Sequence, residues 1–202
     1  MYYEPSSGRE FASTHTFRLA YPDTSFGDLD TEAERNAVGL FTVDERKPAY
    51  NPVTHRAERA GVIQKGGAWA RDWIVVQHGA ETLRGNLLAA VSQRRWEVET
   101  GGVTLPGGIQ VATGIDDQNR ITSVVANAQL AGVVSVDFKA ASGWVTLSLE
   151  QLRGITAAIA LHVQACFAAE RAHHDAINAA ADADLLTYDV AAGWPVDTEE
   201  TP

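Results

Sequence analysis

Four side chains that can bind a metal ion recur at every fourth position in one segment of the chain. His162, Cys166, Glu170 and His174 lie within residues 148–182, which read SLEQLRGITAAIALHVQACFAAERAHHDAINAAAD. Imidazole, thiolate and carboxylate groups are zinc ligands, and a spacing of four places side chains on one face of a helix. The first question is therefore whether this helix carries a metal site.

The spacing itself argues against a single zinc site. Four positions, each four residues apart, extend over about 18 Å of helix, whereas zinc gathers its ligands around one point. His162 and Cys166 alone supply two ligands, and the sequence has no matching Cys/His pair elsewhere. The histidines outside the segment are isolated: His15, His55 and His78. We predict no metal and no cofactor, with Cys166 as a small buried residue.

The remaining histidines of the segment fit the same structural interpretation. His162 lies at the border of the apolar face, and His173 and His174 are expected on the solvated side of the helix. Elsewhere, the glycine clusters KGG and GGVTLPGG lack the GxxxxGK[ST] order of a phosphate-binding loop, and GxSxG is absent. The sequence therefore predicts a protein that is not an enzyme.

Apolar spacing predicts that 148–180 forms one continuous helix. Ser148 and Gln151 have the pattern of a capping box at its start, and apolar residues follow at spacings of three and four. The alanine-rich second half lacks bulk for a core and lets another helix approach closely. The packing or interface residues that we predict are Ile155, Ile159, Val163, Phe167 and Trp194.

The elements before this helix divide the chain into two regions and an acidic end. Residues 1–78 predict a small β-rich module, with a strand at FASTHTFRLA, a helical turn after Thr31, and a hairpin around Lys65-Gly66-Gly67. Within this module, Trp69 and Trp73 are expected to anchor a small core.

Residues 79–195 predict the order α-β-β-α-β-β-α, ending in the long helix. Pro106-Gly107-Gly108 and Ala141-Ser142-Gly143 are the expected hairpin turns, and Asp116 or Asp117 the cap of the middle helix. The fold class is therefore α+β, with helices on a small antiparallel sheet. Residues 196–202 form an acidic C-terminal tail.

Composition limits the classes of protein that the chain can belong to. It has 202 residues, 45% hydrophobic and 21% charged, with a net charge of −10 and one cysteine. A non-specific binder of nucleic acid needs a basic footprint, and one cysteine cannot form an internal disulfide. No signal-peptide pattern is present, and the window ITAAIALHVQACFAAE reads as too short to span a bilayer. We predict a soluble protein that is made and kept in a reducing cytoplasm, or one that assembles from there, without nucleic-acid binding or membrane insertion.

A resemblance rests on four stretches of the C-terminal half: RRWEVETGGV, FKAASGWVTLSLEQL, IALHVQACFAAERAHHDAI and YDVAAGWP. From about Leu83 to Pro195, the chain resembles an uncharacterised domain family of small tail-associated proteins from tailed bacteriophages and prophages. AYPDTSFGDLDTEAERNAVGL and GGAWARDWIVV are similar to the short β-rich modules that often precede that domain. The resemblance carries over no catalytic or binding residue.

Members of that family are encoded beside tail-fibre and baseplate genes. The resemblance therefore implies a structural component of the tail tip, acting in tail assembly and host adsorption. It implies other phage tail proteins as partners, and the virion tail, assembled in the bacterial host cytoplasm, as location. A tail-fibre assembly chaperone that is not retained in the virion and a cell-wall hydrolase stay open as alternatives. The alanine-rich helix and the rotational symmetry of tail tips favour a homo-oligomer, specifically a trimer.

Overall fold

A computed structural model of the chain describes residues 1–105, 109–128, 130–140 and 143–195. By its internal contacts the chain divides into an N-terminal unit, Met1–His78, and a C-terminal unit, Gly79–Pro202. The fold class is α+β, as the sequence predicts. The acidic tail 196–202, the turn at 106–108 and most of the turn at 141–143 lie outside the described residues.

The N-terminal unit is built on a five-stranded sheet with the order β2-β1-β3-β5-β4. Its strands are β1 (Tyr2–Glu4), β2 (Arg9–Phe11), β3 (Phe41–Asp44), β4 (His55–Lys65) and β5 (Ala68–Gln77). β3 and β5 run parallel, and the other neighbours are antiparallel. The predicted hairpin is β4–β5, whose two-residue loop places Gly66 and Gly67 at φ of 58° and 83°. Positive φ at both positions suits glycine and matches the twist of the flanking strands.

Two short helices complete this unit: α1 (Thr14–Leu19) and α2 (Glu32–Ala37). The predicted strand at FASTHTFRLA is wrong beyond Phe11, because Ser13 and Thr16 form a capping box that begins α1. The capping box between Thr31 and Glu34 at the start of α2 is confirmed.

The core of the N-terminal unit lies around α1 and not at the tryptophans. Phe11, Phe17, Leu29 and Leu40 are buried together, and Phe11 and Phe17 meet edge to face at 5.2 Å. Trp69 and Trp73 are both partly exposed, so the prediction that they anchor the core is wrong. Aromatic packing around α1 supplies that anchor instead.

The C-terminal unit has the predicted order α-β-β-α-β-β-α. Its elements are α3 (Ala80–Thr100), β6 (Val103–Leu105), β7 (Ile109–Val111), α4 (Ile115–Ala128), β8 (Ser135–Ala140), β9 (Gly143–Ser148) and α5 (Leu149–Ala179). A 3₁₀ turn follows at Asp184–Thr187. The strands form two separate hairpins, β6–β7 and β8–β9, instead of the one small sheet expected from sequence. α4 begins before Asp116, so both aspartates lie in its first turn, where negative charge is favourable.

α5 is the element against which the rest of this unit packs. One buried cluster joins residues of both hairpins, α4 and the first half of α5: Val103, Val111, Ile121, Leu147, Leu152, Ile155 and Ile159. α3 runs antiparallel to α5, since Arg84 near its start contacts Ile177 and Val98 near its end contacts His162. The long helix therefore positions the side chains of the candidate interface in the C-terminal unit.

Candidate interface on the long helix

The inner face of α5 begins at a capping box and carries most of the predicted stripe. The Ser148 hydroxyl accepts from the Gln151 backbone N–H at 3.2 Å, and the Gln151 side chain accepts from the Ser148 N–H at 2.9 Å. Ile155 and Ile159 are buried, and Val163 packs partly buried against the same cluster. One continuous helix over this segment is confirmed.

Phe167 departs from the buried stripe. Its side chain is 47% exposed, while Cys166 is fully buried one position earlier. Because 3.6 residues make one turn, a strict spacing of four drifts around the helix axis, and by Phe167 it has left the buried face. The buried line continues instead through Cys166, His173 and Ile177.

Arg95 of α3 joins the two long helices beside Phe167. Its guanidinium forms ion pairs with Glu99 and, at 2.9 Å, with Glu170 of α5. The same guanidinium lies 4.6 Å from the centre of the Phe167 ring. Glu99 is only 4% exposed, so Arg95 balances a carboxylate that is almost out of water. This cluster holds α3 and α5 in one register.

His162 and Cys166, the pair on α5 that could supply two metal ligands, contact other protein groups instead. The His162 Nε2–H donates to the Val98 carbonyl at 3.0 Å, and the Cys166 sulfur lies 3.7 Å from the same nitrogen. Burial, and then the Glu99 charge, raise the pKa of the Cys166 thiol, while Arg95 opposes them. Within the described residues, no group of three His, Cys, Asp or Glu side chains is placed to hold a metal ion.

The segment that follows α5, called the closing segment here, folds back onto the helix. Three of its residues contact His173: Tyr188, Ala192 and Trp194. Contrary to the prediction for the solvated side, His173 is 8% exposed. Its Nε2 lies 2.9 Å from the Ala192 carbonyl and its Nδ1 2.8 Å from the Tyr188 hydroxyl. A carbonyl only accepts, so Nε2 carries the proton and the phenol donates to Nδ1. Trp194 is buried, stacks on the imidazole at 5.2 Å, and donates to the Val190 carbonyl.

Arg84 closes the C-terminal end of α5, which has no basic residue in its own last turn. Its guanidinium donates to the carbonyls of Ile177 and Ala180 and pairs with Asp182 at 3.1 Å. A cation here satisfies free carbonyls and complements the negative end of the helix dipole. Arg84 therefore stabilises the helix end to which the closing segment is attached.

The outer face of α5 is apolar and exposed. Leu161 is 71% exposed, and the alanines at spacings of four and three after it, Ala165, Ala168 and Ala172, are exposed too. By length and composition, α5 is the one described helix that could cross a membrane, with 22% of its apolar window buried. The sequence argument that this window is too short is wrong for the helix, which has 31 residues. The absence of membrane insertion stays a prediction.

Sequence reasoning did not predict the contacts by which four residues hold α5 in place: Arg84, Arg95, Glu99 and Tyr188. The spacing of four between Arg95 and Glu99 was a detectable signal for an ion pair on one helix. The partners of Arg84 and Tyr188 lie far along the chain or depend on its return path, and periodicity reports neither.

Comparison with known families comes from the C-terminal unit alone. The sequence pattern of a domain of unknown function, DUF4376, matches residues 82–192. The match covers α3 from its third residue, both hairpins, α4, α5, and the segment after α5 as far as Ala192, so it includes Tyr188 but not Trp194. No curated protein and no solved structure matches the chain.

Proposed function

We propose that this chain, which belongs to the DUF4376 family, is a structural component of a bacteriophage tail tip, associated with the baseplate or tail fibre. It acts there in tail assembly and host adsorption, as the resemblance of its C-terminal half implies. Its partners are other phage tail proteins, and its location is the virion tail after assembly in the host cytoplasm. The observation that carries the proposal is the exposed apolar face of α5, a surface suited to protein contacts and not to catalysis.

The outer face of α5 has the spacing of a helix-pairing surface. Ala158, Leu161, Ala165, Ala168 and Ala172 follow one another at intervals of three and four, on the side opposite Ile159. Small side chains let helix backbones approach closely, and a repeat of seven keeps the contact line on one side. The same helix from another copy fits this surface, which supports the homo-oligomer and favours the trimer expected of a tail tip.

Mass spectrometry of purified virions tests the structural role directly. In particles from the strain that carries this gene, a tail component is expected in fixed proportion to the fibre and baseplate proteins. A protein abundant in the lysate but absent from purified particles would instead be a tail-fibre assembly chaperone. Absence from both particles and assembly intermediates would contradict the proposal.

The cell-wall hydrolase alternative has a separate test. The purified chain added to a suspension of host peptidoglycan is expected to leave its turbidity unchanged, with a known muramidase as the positive control. Clearing that depends on the dose of this protein would favour the hydrolase.

A further inference from the structure

One edge of the β8–β9 hairpin has backbone groups that no described strand uses. Within the described residues, β8 pairs only with β9. The Leu149 N–H donates to the Val134 carbonyl at 3.2 Å, which makes these two residues a hydrogen-bonded pair. The next pair in the register, Ser135 and Ser148, is not hydrogen-bonded, and the Ser148 N–H donates to Gln151 instead.

This alternation continues along β8. Because hydrogen-bonded and non-hydrogen-bonded pairs alternate in an antiparallel ladder, Ser135, Asp137 and Lys139 direct their N–H and C=O groups away from β9. All three residues are exposed, and no backbone group elsewhere in the described part of the chain bonds to these outward groups. Such an edge is a template for one further strand.

A groove of about 240 Å³ lies between this edge and α4. Residues 136–139 of β8 line one side, and the first half of α4 lines the other, where Asp117 and Arg120 pair with each other at 3.8 Å. The apolar residues that line the groove are buried or partly buried: Ile121, Val124, Val136, Phe138 and Leu152. Val136 and Phe138 pack against the core on this face of the hairpin, so every second side chain of an added strand points into the groove.

The other face of the same edge has one charge of each sign. Asp137 and Lys139 lie two residues apart, on the face opposite to Phe138. Neither forms an ion pair with another described residue. Asp137 accepts from the Thr146 hydroxyl at 2.8 Å, and Lys139 lies over Trp144, which is 73% exposed. A strand with a base opposite Asp137 and an acid opposite Lys139 complements this edge.

We infer that the β8 edge binds an extended peptide segment of a partner protein, which adds an antiparallel strand to the hairpin. Apolar side chains of the segment lie opposite Val136 and Phe138 and enter the groove. Between them a base faces Asp137, and beyond them an acid faces Lys139. Backbone hydrogen bonds supply the affinity, and the alternating side chains select the register.

A lone segment fits this edge better than a second copy of the chain does. Two-fold pairing through β8 brings both copies of α4 over the joined strands, whereas a peptide segment has no helix to place there. That the partner is a tail protein rests on the proposed function, while the binding itself does not.

NMR titration of the full chain with two hexapeptides of identical composition tests this inference. In antiparallel pairing, Thr-Glu-Val-Lys-Val-Thr places its Glu opposite Lys139 and its Lys opposite Asp137. We expect a Kd of about 1 mM or tighter at low salt, with shifts of the Asp137 and Lys139 amide signals. Thr-Lys-Val-Glu-Val-Thr, which has the charges exchanged, should bind at least about fivefold more weakly, because like charges then face each other.

A charge exchange in the protein should reverse this preference. Asp137→Lys/Lys139→Asp keeps the composition of the chain and should bind the second peptide more tightly than the first. The matched control exchanges an exposed pair of α5 in the same way, Arg171→Asp/Asp175→Arg, and should leave the preference unchanged.

Backbone methylation of the first peptide separates strand addition from simple charge attraction. A methyl group on the Lys nitrogen removes the N–H that donates to β8 and should abolish binding, whereas methylation of the central Val nitrogen, which points away from β8, should be tolerated.

Four results overturn the inference: no binding of the first peptide, equal binding of the second, a preference that the charge exchange does not reverse, or equal effects of the two methylations. Shifts at Asp137 and Lys139 that follow protein concentration without peptide would assign the edge to a second copy and overturn it too. None of these results depends on whether the chain is found in virions, so either proposal can fail alone.

Discussion

At the scale of the residue, the buried thiol of Cys166 links the stability of the C-terminal unit to alkaline pH. Burial raises its pKa above the usual 9.0, so the unfolded chain loses this proton at a lower pH than the folded chain does. The contribution to stability is therefore complete below about pH 9 and is lost as the pH rises through the folded pKa. Burial also raises the pKa of Tyr188, whose effect has the same sign and begins above about pH 10.

Urea unfolding at about pH 8 and about pH 10 measures this dependence. The free energy of unfolding should decrease with pH more steeply in the unmodified chain than in Cys166→Ala, which has no thiol to titrate. Equal slopes in the two proteins would show that Cys166 is already accessible in the folded state.

The hydrogen bonds between His173 and the closing segment give a second prediction at the scale of the residue. Tyr188→Phe removes the hydroxyl that donates to Nδ1 and leaves a buried acceptor without a partner. We expect a loss of about 1–3 kcal/mol in stability and a change in tryptophan fluorescence, because Trp194 stacks on this imidazole. The neighbouring His174→Ala is the control, since the His174 side chain is 40% exposed and Glu170 keeps Arg95, so its effect should stay within about 0.5 kcal/mol. Equal effects of the two changes would mean that the closing segment is not held by His173.

At the scale of the element, the same substitution should destabilise the protein strongly on the inner face of α5 and hardly at all on the outer face. Ile159 is 5% exposed in the shared core, so Ile159→Asp buries an unpaired charge and should cost more than about 3 kcal/mol. Leu161 is 71% exposed two positions later, and Leu161→Asp should change the stability by less than about 0.5 kcal/mol. Urea unfolding of dilute protein measures both, and a wild-type unfolding midpoint for Ile159→Asp would show that the inner face is not core.

Local signals in the sequence were sufficient for α5 and insufficient for the elements that depend on distant partners. The capping box at Ser148 and the apolar spacing act within a few residues, and they predict the helix with its bounds. The strand predicted at FASTHTFRLA failed because the Ser13 capping box outweighs β propensity in so short a segment. The burial of His173 depends on a later segment that folds back onto α5, and the separation of the two hairpins depends on where the helices place them. The spacing of residues along the sequence does not report such long-range contacts.

At the scale of the whole molecule, the net charge is divided unequally between the two units. The N-terminal unit has 9 Lys and Arg against 11 Asp and Glu, and the C-terminal unit has 7 against 15. Copies that pair through α5 bring two acidic units together, whereas a tail protein with a basic surface is attracted to the same unit.

Salt should therefore act with opposite sign on the two kinds of contact. Screening reduces repulsion between like-charged copies, so the homo-oligomer should gain in population between about 50 and about 500 mM salt, while docking on a basic tail protein should weaken. Light scattering on the isolated chain should show a mass that approaches three copies at high salt and high protein concentration. Leu161→Asp should stay monomeric under the same conditions, because it places a charge in the middle of the outer face, while its folded structure is kept. A monomer at every salt concentration, with no cross-links to tail proteins in virions, would contradict both the homo-oligomer and the docking on a tail protein. If Leu161→Asp leaves the oligomer mass unchanged, the copies contact each other through a surface other than the outer face of α5.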